Sequence, residues 1–308
     1  MTETGTGAFT PARPSSAVGR AIVAAVIIVF GLMIAAYVGV QSEAVLGFSR
    51  RARYFVQGVV MSAVVVPGVW WLRSRIDGRS LASLGFVLEW KSLGRLAAGI
   101  GIIAGPILLA VTLGPLFGWA AVSIDRSGPA LQLLVIAVAT AFLFEALPEE
   151  LIFRGYVYKT LSATHARWVA SVVTVALFLT MPVLSVPVQQ VVLGTVQVGP
   201  ADHITAGYLI TLLIFGTFLQ YLRVLTGTIW AGIGFHLAFL LANRIVGPRP
   251  THLIRFTEVT APGPLLGVVI GSAALIVAGL IAWPWIRRCP IGWRGRELDV
   301  PAEPDTSA

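Results

Sequence analysis

With 308 residues, 56% of them hydrophobic and 12% charged, and a mean hydropathy of +0.85, the chain falls outside the soluble globular range, where about a quarter of residues are charged. The net charge of +8 is spread as short basic clusters beside apolar runs, which is a membrane-topology pattern and argues against nucleic acid as a partner. The single cysteine, Cys289, excludes an intramolecular disulfide and thiolate-rich metal sites.

Several apolar runs reach the roughly 20 residues that cross a bilayer. The expected fold is therefore all-α, a polytopic transmembrane helical bundle with the lipid bilayer as its partner. Residues 1–19 are polar and rich in Ser, Thr, Pro and Gly, and read as a disordered tail. The apolar run 21–40 follows Arg20. It is too long for the roughly 7–15-residue core of a cleaved signal peptide, and reads as a retained first span. Further spans are expected at 54–72, 96–120, 130–147, 168–186, 206–222, 228–246 and 263–286, which makes about eight. Pro106 and Pro115 are candidate breaks in the third span, tolerable inside a membrane bundle. Residues 80–90 read as a short interfacial helix. Residues 20–286 then form one bundle, and 287–308 a charged tail that is also expected to be disordered.

Lysine and arginine placement sets the orientation. With both termini inside, fifteen of these residues lie on the inner side and seven on the outer, among them Arg50, Arg51 and Arg53, which run against the rule. Both termini are expected to be cytoplasmic, in the plasma membrane of a prokaryote.

Only 14 residues are acidic, and Glu145, Glu149 and Glu150 fall together at the end of an apolar stretch. Ionisable groups at membrane depth are costly and mark function. Glu150 and Arg154 are spaced to pair on one helical face. Glu145 and Glu149 share the same spacing, which suits a proton-transferring group. A charge cluster capping a span at headgroup level is the plainer alternative.

The stretch Glu149-Glu150-Leu-Ile-Phe-Arg154-Gly155-Tyr156 resembles the first motif of the CPBP family, the CAAX-protease and bacteriocin-processing intramembrane proteases, which are related to the eukaryotic prenyl-protein endopeptidase. The helix from Trp168 to Phe178 resembles the one that carries the family's Phe-x-x-x-His motif. Phe215-Gly216, Thr226-Gly227-Thr228-Ile229-Trp230-Ala231 and then His236 resemble the approach to its last motif. The resemblance covers about residues 130–245. It implies an endopeptidase acting on membrane-associated, CAAX or prenylated-like peptides. Glu149 would activate water with the motif-two histidine, and His236 with a following asparagine would stabilise the oxyanion. Arg154 would hold Glu150 as a structural ion pair. Family members are described as metalloproteases or as glutamate-dependent proteases, so a divalent metal on Glu149, Glu150 and His236 is a further, weaker expectation.

Two positions depart from that pattern. Pro182 stands where the family has histidine, and Leu240 where it has asparagine; neither side chain moves a proton or donates a hydrogen bond. His203, beside Asp202, is a candidate substitute from a loop, whereas Asn243 lies about 10 Å along the helix from His236. Two other functions stay open. One is a catalytically degenerate relative that binds a peptide or membrane partner. The other is a proton-coupled transporter relaying through Glu145 and Glu149, against which the lack of a visible inverted repeat counts.

Overall fold

The computed structural model describes residues 14–197, 204–247 and 252–297. The chain builds a helical bundle from α1 (Pro14–Leu46), α2 (Arg50–Trp71), α3 (Trp90–Leu116), α4 (Gly128–Ser162), α5 (Arg167–Leu193), α6 (Ala206–Thr226), α7 (Trp230–Ile245) and α8 (Pro262–Ile286). A two-stranded antiparallel sheet pairs β1 (Ala120–Ile124) with β2 (Ile254–Val259). All helices except α7 are long and apolar enough to cross a bilayer, and the protein is an integral membrane protein. The expected span at 228–246 exists as α7, but its 16 residues rise only about 24 Å. It is an inner helix, buried from Trp230 to Ala238. At the other extreme α8, with only Pro284 buried, turns Ile270, Leu275 and Ile281 outward, as a lipid-facing helix does.

Helix starts follow local chemistry. Ser49, Ser127 and Thr205 cap α2, α4 and α6, their hydroxyls accepting from the backbone N–H of Ala52, Ala130 and Tyr208, which satisfies donors that have no partner inside the helix. Pro106 and Pro115 do not break α3. Residues 80–90 do not form the expected interfacial helix; only a 3-10 turn, Leu81–Leu84, is present before α3 begins at Trp90. Gly85 ends that turn at φ +81°, with its backbone packed on Thr228.

Helices α3 and α7 meet through glycine. A Cβ on Gly99 would strike the Ala231 carbonyl, and one on Gly234 the Leu96 carbonyl, so the two backbones approach as small-residue membrane interfaces allow. Gly234→Leu and Gly99→Leu are each expected to cost about 1–3 kcal/mol by overpacking. Thermal unfolding in detergent checks this, with Gly94→Leu, which meets open space, as the control that leaves the midpoint unchanged.

Both described ends of the chain lie on one face of the bundle. Arg20 of α1 pairs with Asp77 beyond α2 at 3.0 Å. The Trp230 indole at the start of α7 donates to the Val87 carbonyl before α3. Helix α1 already includes residues 14–19, which were expected in the tail; residues 1–13 lie outside the described residues. The expected disorder after α8 is corrected as well, because residues 287–297 dock on this same face. Arg167 and Trp168 donate backbone N–H groups to the carbonyls of Gly295 and Trp293, and Glu297 donates its own to Ser162. The Glu297 carboxylate reaches Lys159 at 2.9 Å and Arg223 at 3.4 Å. Tail composition hides this, because the partners are basic groups at helix ends distant in sequence.

Burial pushes the Glu297 carboxyl up, but Arg223, Lys159 and Arg167 outweigh it and hold the group below its ordinary range. A lowered docked value means that docking is fully favoured above the free glutamate pKa and is lost as pH falls through the docked one. A spin label on the exposed Cys289 is expected to be slow at neutral pH and fast in acid. In Glu297→Gln it is expected to be fast throughout.

Candidate active site

The acidic motif lies inside the bundle, because α4 continues well past the expected end at 147 and stops only at Ser162. Glu149 and Glu150 therefore sit roughly 20 Å before the helix end and are buried, which removes the headgroup-cap alternative. The helix is widened on both sides of Glu149, as a π-helix over Phe142–Ala146 and again over Glu150–Val157. Pro148 supplies a cause for the first: it has no N–H to offer the carbonyl one turn back, and its ring crowds that carbonyl. Wide turns of this kind recur at functional sites.

A cavity of about 800 Å³ reaches into the bundle, and Glu149 and His236 both line it. His236 Nε2 lies 3.9 Å from Glu149 Oε2, a gap suited to a shared water more than to a direct hydrogen bond. On its other side His236 Nδ1 faces Glu150 Oε1 at 3.3 Å. That same oxygen accepts from Arg154 Nη1 at 3.1 Å. Arg154 is fully buried; its Nη2 donates to the Gly216 carbonyl at 3.1 Å, and its guanidinium lies 4.4 Å over the Phe178 ring. The Phe215 ring meets the imidazole edge-on. The result is a line of groups, Arg154 to Glu150 to His236 to Glu149, of which only the last two open on the cavity.

Two glycines make room for this line. A Cβ on Gly232 would lie 2.6 Å from Glu150 Oε2, and one on Gly216 would press on Phe178. Spacing alone does not reveal Gly232, although Gly-x-x-x-His before an imidazole is a usable signal once a buried carboxylate is suspected opposite. Glu145 does not join Glu149 as a second base; it lines the cavity further out and pairs with Arg244 at 2.8 Å, a contact 99 residues apart that the sequence pattern does not show. Pro182 and Leu240 both line the cavity, so the two apolar replacements face the site itself. Asn243 is exposed and donates to the Phe239 carbonyl of its own helix. His203 lies outside the described residues. His165 bonds Thr164 in the α4–α5 connection, away from the cavity lining.

The described donors do not fit a divalent cation. Among the described residues no three His, Cys, Asp or Glu side chains are arranged to hold one. Glu150 is already taken by a guanidinium, and the position where the family carries a second imidazole is Pro182, which has no donor atom.

No curated protein and no solved structure matches the chain. Residues 129–242, from the first turn of α4 through most of α7, match the family model for type II CAAX prenyl endopeptidases, Rce1-like. The matched stretch contains Glu149, Glu150, Arg154 and His236, so this segment is similar to the Rce1-like family, in line with the resemblance carried by its motifs.

Proposed function

We propose that the protein is an intramembrane endopeptidase that hydrolyses peptide bonds of membrane-associated polypeptides with Glu149 as the base. The observation that carries this reading is the pairing of Glu149 with a braced His236 at the wall of a deep cavity. A water between them gives its proton to Glu149 as its oxygen bonds to the scissile carbonyl carbon. His236, whose Nδ1–H donates to Glu150, acts as an imidazolium, so that its Nε2–H donates to the oxygen on which negative charge develops. Collapse breaks the C–N bond, and the proton held by Glu149 passes to the leaving amine. Arg154 touches no reacting atom; it is a positioning residue that neutralises and orients Glu150.

A second reading has its own support, since Pro182 and Leu240 line the cavity where relatives carry polar side chains. It makes the protein a binding member of the family without turnover. Mass-spectrometric cleavage of prenylated and unprenylated peptides by the purified protein in liposomes separates the two. Cleavage by the natural chain supports hydrolysis. Cleavage only by Pro182→His/Leu240→Asn supports binding.

A further inference from the structure

The cavity lining extends from Glu149 and His236 toward the face opposite both described ends of the chain. Helices α1 to α8 alternate in direction, and the Arg20–Asp77 pair and the docked residues 287–297 hold both ends on one face. The outer lining of the cavity comes from the other end of the same helices: Arg51 and Tyr54 at the start of α2, Tyr208 at the start of α6, and Arg244 at the end of α7. From His236 to Arg244 the lining climbs about 12 Å along α7. No lining residue comes from the described turns on the chain-end face. Among the described residues, and leaving aside the buried Arg154, thirteen lysines and arginines belong to the chain-end face and its approaches and six to the mouth face. An excess of that size fixes the richer face in the cytoplasm. Two of the three arginines that run against it have local employment at the mouth: Arg53 pairs with Glu43 at 2.7 Å, and Arg51 lines the cavity.

We infer that the cavity takes its substrate from the non-cytoplasmic side, so that the polypeptides it serves are exported, membrane-anchored segments and not cytoplasmic lipid-modified proteins. The substrate class rests on the endopeptidase reading; the orientation does not.

The chain carries its own reporter. Cys289 is exposed on the chain-end face, and Glu258 is exposed in β2 on the mouth face. Intact cells are treated with a membrane-impermeant maleimide. The natural protein is expected to stay unlabelled until the membrane is permeabilised, whereas Glu258→Cys in a Cys289→Ser background labels at once. If Glu258→Cys fails to fold, Val45→Cys, at a position 74% exposed near the end of α1, reports on the same face. The inverse pattern overturns the inference. Cleavage is then read with an acylated peptide library tethered to the outer leaflet of sealed vesicles. Right-side-out vesicles are expected to cut, and inverted ones only after detergent; equal cleavage from both overturns the sided substrate class. No cleavage even in detergent overturns the hydrolytic reading and the substrate class with it, while the labelling still decides the orientation.

Discussion

Glu149→Gln is expected to leave the bundle folded and to reduce peptide cleavage by about 10²–10⁴-fold, the usual contribution of a positioned general base. Glutamine keeps the shape of the side chain and its place on the cavity wall, but it cannot take a proton from water. The brace behind it is untouched, because Glu150 Oε1, Arg154 and the Gly216 carbonyl bond one another without Glu149. His236→Gln should lose activity comparably and for another reason, since a neutral amide beside Glu149 would not supply the positive charge that the imidazolium at 3.9 Å offers the oxyanion. Because both residues act on one water, the double variant is expected to fall little further than either single one. Cleavage rates in liposomes check this, with thermal unfolding in detergent to show that the fold survives. Unchanged cleavage by Glu149→Gln would remove Glu149 as base and leave Glu145, further out in the same cavity, as the carboxylate that takes the proton.

The fold class was legible because bilayer crossing imposes a length and an apolarity that few other structures need. The helix carrying the acidic motif was not legible in its extent. Charged Glu149, Glu150 and Arg154 end the apolar window near 147, yet Glu150 and Arg154 neutralise each other inside the bundle and α4 runs on to Ser162. Hydropathy sums residues singly and cannot see that a carboxylate and a guanidinium cancel. The widening of α4 was similarly hidden, although Pro148 is its visible trace. For the site, i, i+4 spacing foresaw that Glu150 and Arg154 can meet; the contact of Glu150 with His236, 86 residues on, was not foreseen, because the resemblance groups the two only as possible metal ligands and no local pattern joins them. Docking of residues 287–297 leaves no trace in the sequence pattern, since its partners Lys159, Arg167 and Arg223 read as ordinary topology charges.

Arg154→Leu should be the most damaging single change to stability. It strands Glu150, fully buried and with Oε2 already unpartnered among the described residues, and removing one member of a buried pair costs about 3–5 kcal/mol. Arg154→Lys recovers only part of this. One ammonium cannot reach both Glu150 and the Gly216 carbonyl while covering the Phe178 ring, as the planar guanidinium does. Glu150→Leu/Arg154→Leu removes both charges together, so its unfolding midpoint in detergent is expected to return close to that of the natural chain. Its cleavage is not expected to return, because His236 Nδ1 then has no carboxylate to fix the ring against Glu149. That split between recovered stability and lost turnover is what separates a brace for catalysis from a mere core ion pair. If the double variant cuts as fast as the natural chain, Glu150 serves packing alone and His236 is oriented by the Phe215 ring instead.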